Sequence, residues 1–277
     1  MTPIYDLHCH SNASDGMLTP TELVLRAKEK NVNVMALTDH DTVQGIDEAR
    51  KQAEQLGIQL INGVEISTNW ENKGIHIVGL GFDKTHPKMT ALLEKQAQVR
   101  FQRAKDIGAK LEKIGVQNAF EETQKLADGE VTRAHYARYL VSIGKVANVQ
   151  QAFKKYLMQG KSAFVKADWV DIPMAINVIH QAGGLAIIAH PLRYNMTTKW
   201  LKKLITDFKN WGGDGIEVSG CGQTKDQRQL IARWANEYQL LASVGSDFHF
   251  PCAWIELGKS LELPENCQPI WEKLMII

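Results

Sequence analysis

Short apolar segments alternate with helical segments along this chain, and this alternation limits the folds that it can adopt. About seven apolar segments are rich in Val, Ile and Leu, and most are separated by one helical segment. Strands that alternate with helices pair in parallel, because each helix returns the chain to the same end of the sheet. The alternation therefore predicts an α/β fold with a parallel barrel or sheet. The predicted strands cover residues 4–7, 32–38, 58–67, 74–82, 185–191, 215–219 and 240–249.

The start of the first predicted helix is marked by three residues. Thr19 suits the N-cap, Pro20 suits the first helical position, and Glu22 completes a capping box with Thr19. Further helices are predicted between the strands, over residues 44–56, 172–182, 199–210 and 225–238.

The alternation stops between the fourth and fifth predicted strands. Residues 87–160 are predicted to be helical throughout, beginning with a long helix from Pro87 to Ile114. A chain of 277 residues is long enough for one barrel that carries a smaller insertion. We therefore predict a barrel formed by residues 1–86 and 161–277, with residues 87–160 as an inserted helical domain.

Composition and net charge limit the cellular location and the kinds of binding partner that we expect for the protein. The hydrophobic share of 44% and the charged share of 23% are typical of a soluble globular protein, and the net charge of +1 gives no overall attraction to nucleic acid. No apolar run approaches the roughly 18 residues of a membrane helix, and MTPIYDLH lacks the basic and apolar regions of a signal peptide. The four cysteines form no CxxC pair. We expect a cytoplasmic protein with free thiols and without a membrane or an obligate protein partner.

Side chains that bind metal ions recur where the predicted strands end. The motif DLHCHSNASDG at residues 6–16 places His8 and His10 two residues apart, on one face of a strand tip. Glu65 is predicted to close the third strand. In a parallel barrel such ends share one rim, and this rim carries the chemistry. The candidates are His8, His10, Asp15, Asp39, His40, Asp41, Glu65, His76, His190, Glu217, Asp247 and His249.

Several candidates also have a purely structural interpretation. Asp39 or Asp41 can cap the following helix, and His76 can be a hydrogen-bonded histidine of the core. Glu217 can either coordinate a metal or orient another ligand. The histidines that we interpret as surface or helix residues are His86 and His180.

The mixture of imidazoles and carboxylates indicates a reaction class. It suits manganese, iron or zinc, and the lack of cysteine among the candidates weighs against a structural zinc site. Two or three divalent ions close together supply hydroxide at neutral pH, neutralise phosphate oxygens and stabilise a leaving oxygen. The predicted reaction is therefore metal-assisted hydrolysis.

Residues 131–167 contain no Asp or Glu. The segment holds seven Lys or Arg residues, with five aromatic residues among them. Positive charge beside aromatic faces favours a nucleotide or polynucleotide ligand, although the aromatics can instead pack the insertion and leave the lysines in solvent. The predicted phosphate contacts are Arg133 and His135 of VTRAH, and Arg193 beyond His190. We therefore expect the helical insertion to bind substrate.

Taken in order, the motifs resemble those of the polymerase and histidinol phosphatase (PHP) family. The matching motifs are DLHCHSNASDG, LTDHD, GVEIS, the histidine of IHIVG, AHP and GSDFH, which extend from residue 6 to residue 249. The resemblance implies a distorted (β/α)7 barrel with a trinuclear metal site, commonly of manganese. It also implies that one ion is held at the catalytic hydroxide site by His8, His10, Glu65 and Asp247.

The same resemblance implies the ligands of two further ions. Glu65 bridges to the second ion, which His76 and His190 also hold. Asp15, His40 and His249 hold the third ion.

Three other segments are similar to one subgroup of the family. They are the insertion with VTRAH, the FKKYL segment and the tail SDFHFPCAWIELG. The subgroup comprises 5′-3′ exoribonucleases that also act as 3′,5′-nucleotide bisphosphate phosphatases. The resemblance implies stepwise release of 5′-mononucleotides from 5′-phosphorylated RNA, as in RNA processing, and removal of the 3′-phosphate of 3′,5′-bisphosphonucleotides.

Three alternatives stay open at this point. A small-molecule phosphomonoesterase similar to histidinol phosphatase would use the same metal site. A zinc amidohydrolase also opens with HxH, but usually carries a bridging lysine at mid-barrel, where this chain has Glu65. A nucleic-acid-binding module with structural metals would lose its fold, and not only turnover, in His10→Ala or Asp247→Ala.

Overall fold

Seven strands curve into a barrel that closes between the first strand and the last. The computed structural model describes residues 2–274. Its strands are β1 (Tyr5–Cys9), β2 (Val34–Leu37), β3 (Gln59–Trp70), β4 (Lys73–Leu80), β5 (Val170–Asp171), β6 (Leu185–Ile188), β7 (Gly215–Gly220) and β8 (Leu241–Gly245). The barrel order is β1-β2-β3-β4-β6-β7-β8, and the two-residue β5 pairs with β3. The seam is joined by hydrogen bonds from Asp247 N–H to the His8 carbonyl (2.8 Å) and from His10 N–H to the Phe248 carbonyl (2.9 Å).

The strand β4 runs antiparallel to both of its neighbours, β3 and β6. A turn at Glu71 and Asn72 joins β3 to β4, and both residues adopt the left-handed conformation (φ 46° and 62°) typical of tight hairpins. So short a connection cannot return the chain to the start of β3, and pairing is therefore antiparallel. The predicted fold class, a distorted (β/α)7 barrel, is confirmed, whereas parallel pairing is wrong for this strand.

The hairpin also changes the position of two predicted ligands. Glu65 lies in the middle of β3 and does not close it, because the strand continues to Trp70. His76 on β4 is paired with Ser67, two residues beyond Glu65 on β3. Side chains two residues apart on a strand share a face, so the hairpin places His76 diagonally across from Glu65.

The helices between the strands and the long helix from Pro87 lie within about two residues of their predicted ends. The prediction that residues 87–160 are helical throughout is wrong, because turns and coil separate their helices. The helices are α1 (Pro20–Glu29), α2 (Ile46–Leu56), α3 (Pro87–Glu112), α4 (Ala119–Gln124), α5 (Arg133–Ser142), α6 (Val149–Ala152), α7 (Ile172–Gln181), α8 (Thr198–Asn210) and α9 (Lys225–Glu237). The predicted capping box of α1 is present, since Thr19 Oγ1 accepts from Glu22 N–H (3.2 Å) and Thr19 N–H donates to the Glu22 carboxylate (2.9 Å).

Apolar side chains fill the barrel interior at the end opposite the predicted site. Burial of each large one contributes about 1.5–3 kcal/mol relative to exposure, so this cluster stabilises the scaffold below the polar end. The outer face of the barrel is covered separately, by α1 and α2 on one side and by α7, α8 and α9 on the other. The interior cluster comprises Leu7, Val34, Ala36, Val78, Leu80, Ile187, Ala189, Leu241, Ile270 and Leu274.

The helical excursion between β4 and β5 consists of α3 to α6 and a π-helical turn at Phe153–Leu157. The two ends of α3 have different partners. Met89, near its start, belongs to the outer cluster of the barrel, whereas Leu111, near its end, packs with Tyr136 in the cluster of the excursion. The division of the chain at 86/87 and 160/161 stays a prediction, and its outer ends at residues 1 and 277 lie outside the described residues.

Two predictions from composition can be compared with the structure. Across residues 2–274, no helix combines the length and the apolar character that a bilayer crossing requires. All four cysteines are free thiols, as their spacing predicts.

Candidate metal centre and substrate cavity

Histidines and carboxylates meet at the carboxyl-terminal end of the barrel, which we call the rim. In each of three overlapping groups, the ligand atoms lie within 4.8 Å of one another. The groups are His8, His10, Glu65 and Asp247; His40, Glu65 and His76; and His10, Asp15, His40 and His249. The ninth predicted ligand, His190, lies beside them, with its Nε2 2.9 Å from Glu65 Oε1.

The first group has the spacing of ligands around a single ion. His10 Nε2 lies 3.1 Å from His8 Nε2 and 3.1 Å from Asp247 Oδ1. The Glu65 carboxylate lies 3.4 Å from His8 Nε2 and 3.3 Å from His10 Nε2. Ligand atoms about 2.1 Å from a common ion are about 3.0–3.4 Å apart in octahedral or tetrahedral geometry. These four residues are therefore arranged as ligands of one ion would be.

Glu65 is shared between the groups. Its Oε1 lies 2.9 Å from both His76 Nδ1 and His190 Nε2, and its Oε2 lies 2.9 Å from His40 Nδ1. Contact with histidines on both carboxylate oxygens suits a bridging ligand. The PHP pattern assigns His40 to the third ion alone, whereas the structure also brings its ring against Glu65.

Asp15 is the carboxylate of the third group. Its Oδ1 lies 3.3 Å from His249 Nε2 and 3.9 Å from His40 Nε2. The His249 ring stacks on His10, with centroids 4.1 Å apart. The third group therefore adjoins the first.

Three buried atoms of the centre lie 2.9–3.9 Å from other ligand atoms, yet none has the alignment of a hydrogen bond within the described part of the chain. They are Asp15 Oδ1, His40 Nδ1 and Glu65 Oε2. A buried polar atom left unpaired costs roughly 1–3 kcal/mol, and more when it is charged, whereas a bound cation would satisfy all three. Six imidazoles and three carboxylates form a donor set that suits divalent ions. The residues present thus fit the implied metals.

Electrostatics keep the carboxylates of the centre ionised. Burial by itself would raise the pKa of Glu65, but the charges of His76 and His40 outweigh it and hold the pKa well below its usual value. The pKa of Asp247 is likewise held well below its usual value, by His249 and His8 against burial. Ionised carboxylates are the form that binds metals.

Glu217 holds His8 from outside the three groups. One oxygen accepts a hydrogen bond from His8 Nδ1 (2.5 Å), and the other accepts from the backbone N–H of His190 (2.5 Å). A proton fixed on Nδ1 leaves His8 Nε2 free for a metal, so the geometry favours the orienting role of Glu217 over direct coordination. Gly245 permits this arrangement, because a Cβ there would lie 2.2 Å from the Cβ of His8.

The prediction that Asp39 or Asp41 caps the next helix is wrong. The helix α2 begins after Gly45 without a side-chain cap. Asp39 instead accepts hydrogen bonds from Ser11 and Ser14 (2.6–2.8 Å), and so holds the loop that follows β1. Burial raises the pKa of Asp39 to about 6.

Three residues of the rim adopt left-handed backbone conformations. They are Asp41 (φ 53°), His190 (φ 28°) and Asp247 (φ 53°). Such conformations cost roughly 1–3 kcal/mol each for residues other than glycine and tend to cluster at functional sites. Here they turn the chain directly after β2, β6 and β8.

A cavity of about 400 Å³ opens beside the metal centre, between the barrel and the helical excursion. Three arginines lie on its wall: Arg100 and Arg103 from α3, and Arg133 from the first turn of α5. Three residues of the metal centre, Asp15, His40 and His76, line the same space. We call this space the arginine cavity; a ligand bound by the arginines would lie next to the centre.

Only one of these arginines is neutralised by a carboxylate. Arg100 forms an ion pair with the buried Asp41 (2.5 Å). Among the described residues, neither Arg103 nor Arg133 has a carboxylate within 4 Å, and the guanidinium of Arg103 lies 5.6 Å from the ring of Trp169. Burial, together with the charges of Arg133 and Arg100, lowers the pKa of Arg103 to about 9. The cavity therefore presents positive charge without a matching counter-charge.

The three predicted phosphate contacts occupy different places. Arg133 lines the arginine cavity, and its guanidinium lies 5.8 Å from the centre of the Phe153 ring. His135 is buried, and its Nδ1 accepts the backbone N–H of Thr132 (3.1 Å) in the capping box of α5. Arg193 lies on the other side of the centre, where its guanidinium contacts Asp247.

Sequence reasoning missed Arg100 and Arg103. They lie three positions apart on a long helix and therefore share a face, a spacing that was visible in the sequence.

The acid-free segment is divided in the structure: Lys145, Lys154 and Lys161 are exposed, whereas most of its aromatics pack in the excursion. The two histidines interpreted from the sequence as surface or helix residues both make structural contacts. His86 caps α3, and His180 pairs with Asp214.

Comparisons with known proteins agree with this geometry. The family model described as PHP domain matches residues 6–170. The chain is 70% identical over 273 residues to a 5′-3′ exoribonuclease of Haemophilus influenzae, covering 99% of this chain and 100% of the relative. It is 41% identical to a 3′,5′-nucleoside bisphosphate phosphatase of Chromobacterium violaceum, covering 97% and 95%. A solved structure of an amidohydrolase from the same organism, with sulfate bound and no metal, has a TM-score of 0.93 at 41% identity, covering 98% of this chain and 95% of that one.

Proposed function

Because the chain belongs to the PHP domain family, we propose that it is a metal-dependent phosphoesterase that degrades 5′-phosphorylated RNA stepwise from the 5′ end to 5′-mononucleotides. We also propose that it removes the 3′-phosphate of 3′,5′-bisphosphonucleotides. Both reactions are one hydrolysis: a water oxygen joins phosphorus, the bond between phosphorus and O3′ breaks, and O3′ leaves with a proton. In each case the 5′-phosphate is anchored while the 3′-phosphoester is cleaved.

The observation that carries the proposal is the shared wall of the arginine cavity and the metal centre. Asp15, His40 and His76 border the same space as Arg103 and Arg133. An anion held by the arginines would therefore place the rest of the nucleotide toward the centre. Arginine suits this role because its planar group donates two parallel hydrogen bonds to a phosphate.

We assign the nine predicted ligands to three divalent ions, with manganese as the first choice and iron or zinc as the others. When bound, these ions supply a hydroxide nucleophile at neutral pH and stabilise charge on the phosphate. The chain itself orients the ligands: Glu217 fixes the proton of His8 on Nδ1. We assign Arg193, whose guanidinium contacts Asp247, as a donor to the scissile phosphate.

Three further parts of the proposal concern the reaction class, one phosphate contact and the cellular location of the enzyme. A zinc amidohydrolase reaction is less favoured, because Glu65 occupies the position where that family usually has a bridging lysine. His135 is retained as a proposed phosphate contact, together with its role in capping α5. We place the enzyme in the cytoplasm, in RNA processing, with RNA and bisphosphonucleotides as its substrates.

Turnover of three matched substrates tests the proposal. The manganese-loaded protein would be given a 5′-phosphorylated oligoribonucleotide, its 5′-hydroxyl twin and adenosine 3′,5′-bisphosphate. We expect mononucleotides from the phosphorylated strand, AMP from the bisphosphate, and little product from the 5′-hydroxyl strand. Equal rates on the two strands would contradict the anchored 5′-phosphate. Phosphate release from small monoesters with RNA left intact would instead favour a small-molecule phosphomonoesterase.

A further inference from the structure

A second cavity adjoins the metal centre on the side of β7 and β8. It has a volume of about 160 Å³ and is bordered by Asp247 and His190 of the centre. Its other walls come from Arg193, from Gly220 at the end of β7 and from the following loop with Gln223. In the closed order of the barrel, β8 lies opposite β3 and β4, where the arginine cavity opens. The two cavities therefore flank the centre from opposite sides.

The walls of this second cavity offer hydrogen-bond donors from two side chains. Gln223 Oε1 accepts the N–H of Gly220 (2.8 Å), which fixes the amide and leaves its NH2 group without a partner among the described residues. Arg193 adds a guanidinium. A volume of 160 Å³ corresponds to about five waters at roughly 30 Å³ each, which suits a ribose or a phosphate but not a whole nucleotide.

Two exposed aromatic side chains lie on the segment that leaves the centre. Phe250 directly follows His249 and is 45% exposed, and Trp254 is 82% exposed. A contact between Ile255 N–H and Cys252 Sγ (3.3 Å) closes a turn that carries Trp254. An indole so exposed contributes little to the core, and an exposed aromatic face can stack on a base. The same segment reaches the second cavity, because Cys221 of the cavity wall donates to the carbonyl of Glu256, two residues beyond Trp254 (3.4 Å).

We propose that the second cavity and these two aromatics form the subsite for the nucleotide on the 3′ side of the scissile phosphate. The inference rests on the proposed function, because only a polynucleotide continues beyond that phosphate. With the 5′-phosphate in the arginine cavity and the scissile phosphate at the centre, the strand leaves on the opposite side. Gln223 and Arg193 then bind its sugar–phosphate backbone, and Trp254 stacks on a base.

The test compares two substrates in one variant, Trp254→Ala. A 3′,5′-bisphosphonucleotide ends at the scissile phosphate, whereas a 5′-phosphorylated oligoribonucleotide extends into the subsite. We expect kcat/KM for RNA to fall on the order of tenfold more than kcat/KM for the bisphosphonucleotide. Trp254→Phe should restore most of the ratio, because phenylalanine also stacks, and Gln223→Ala should shift the ratio in the same direction as Trp254→Ala.

Trp211→Ala is the matched control. Trp211 is also a partly exposed tryptophan, but it follows α8 at the end of the barrel away from the rim. Its variant should leave the ratio unchanged. If the unmodified protein cleaves RNA but Trp254→Ala and Gln223→Ala both leave the ratio unchanged, the subsite is refuted and the proposed function stands. If the unmodified protein cleaves only the bisphosphonucleotide, the exonuclease proposal fails first.

Discussion

The metal centre and the arginine cavity lie side by side, yet they are built in different ways. The centre takes its side chains from barrel strands and the turns that follow them, so backbone hydrogen bonds define where each ligand lies. The wall of the cavity combines α3, the first turn of α5 and the coil before β5, which meet mainly through side-chain packing. The position of the metal ligands therefore depends on the sheet, whereas the position of the arginines depends on packing between the barrel and the excursion.

The two regions are nevertheless coupled at one loop. Arg138 of α5 donates a hydrogen bond to the Asp15 carbonyl (3.1 Å), and Thr132 Oγ1 lies 3.4 Å from the Asp15 carboxylate. Gly129 approaches so closely that a Cβ there would lie 2.2 Å from the Ala13 carbonyl oxygen. The excursion thus supports the one carboxylate of the third ligand group.

The largest expected effect would come from removing a ligand of the first group. His10→Ala should lower kcat on RNA and on the bisphosphonucleotide by about a thousandfold, because a metal supplies several kcal/mol of charge stabilisation in the transition state. Metal content measured after gel filtration should fall with it. The fold should persist, as judged by circular dichroism, because the apolar cluster at the other end of the barrel is untouched. Loss of folding would instead favour a structural metal site.

A smaller effect is expected in the arginine cavity. Arg103→Ala should lower kcat/KM for 5′-phosphorylated substrates by about 10–100-fold, since hydrogen bonds to a charged group contribute about 1.5–3 kcal/mol. Metal content should be unchanged, which separates this region from the centre. Arg233→Ala, which removes an exposed arginine of α9, is the matched control. An equal loss on the 5′-hydroxyl strand would show that Arg103 does not bind the 5′-phosphate.

The smallest expected effect concerns stability and not turnover. Burial and the charge of Arg138 lower the pKa of His135 to about 4. The unfolded chain, with a pKa of about 6.5 at this residue, binds more protons between these values. The free energy of unfolding should therefore fall as the pH drops from 6.5 toward 4, by about 2 kcal/mol at pH 5.

His135→Gln tests that coupling. Glutamine at the third helical position still completes the capping box with Thr132 but does not titrate. Urea unfolding at pH 7.5 and pH 5 should show a smaller loss of stability in the variant than in the unmodified chain. The same loss in both would mean that protonation occurs elsewhere, and that the start of α5 is not the pH-sensitive part of the excursion.

Most ligands of the metal centre could be predicted from the sequence, because they come at or just after apolar segments that form barrel strands. His8, His10 and Asp247 come at or just after strands that the alternation defines, so their convergence followed from barrel closure alone. Glu65 and His76 were found, but their positions within strands were not, because a two-residue turn at Glu71 and Asn72 reverses β4. The second cavity was not foreseen, since it depends on how the loop after β7 packs beside Arg193.

The barrel, its interruption by helices and the identity of the residues that line the centre could all be predicted from the amino-acid pattern. These follow from periodicity and from local turn chemistry, which act between near neighbours along the chain. Two features required the folded structure: Arg100 and Arg103 line the arginine cavity, and Glu217 holds His8. Each of these depends on elements far apart in the chain or on the rotation of a helix, and packing between elements, not local preference, determines both.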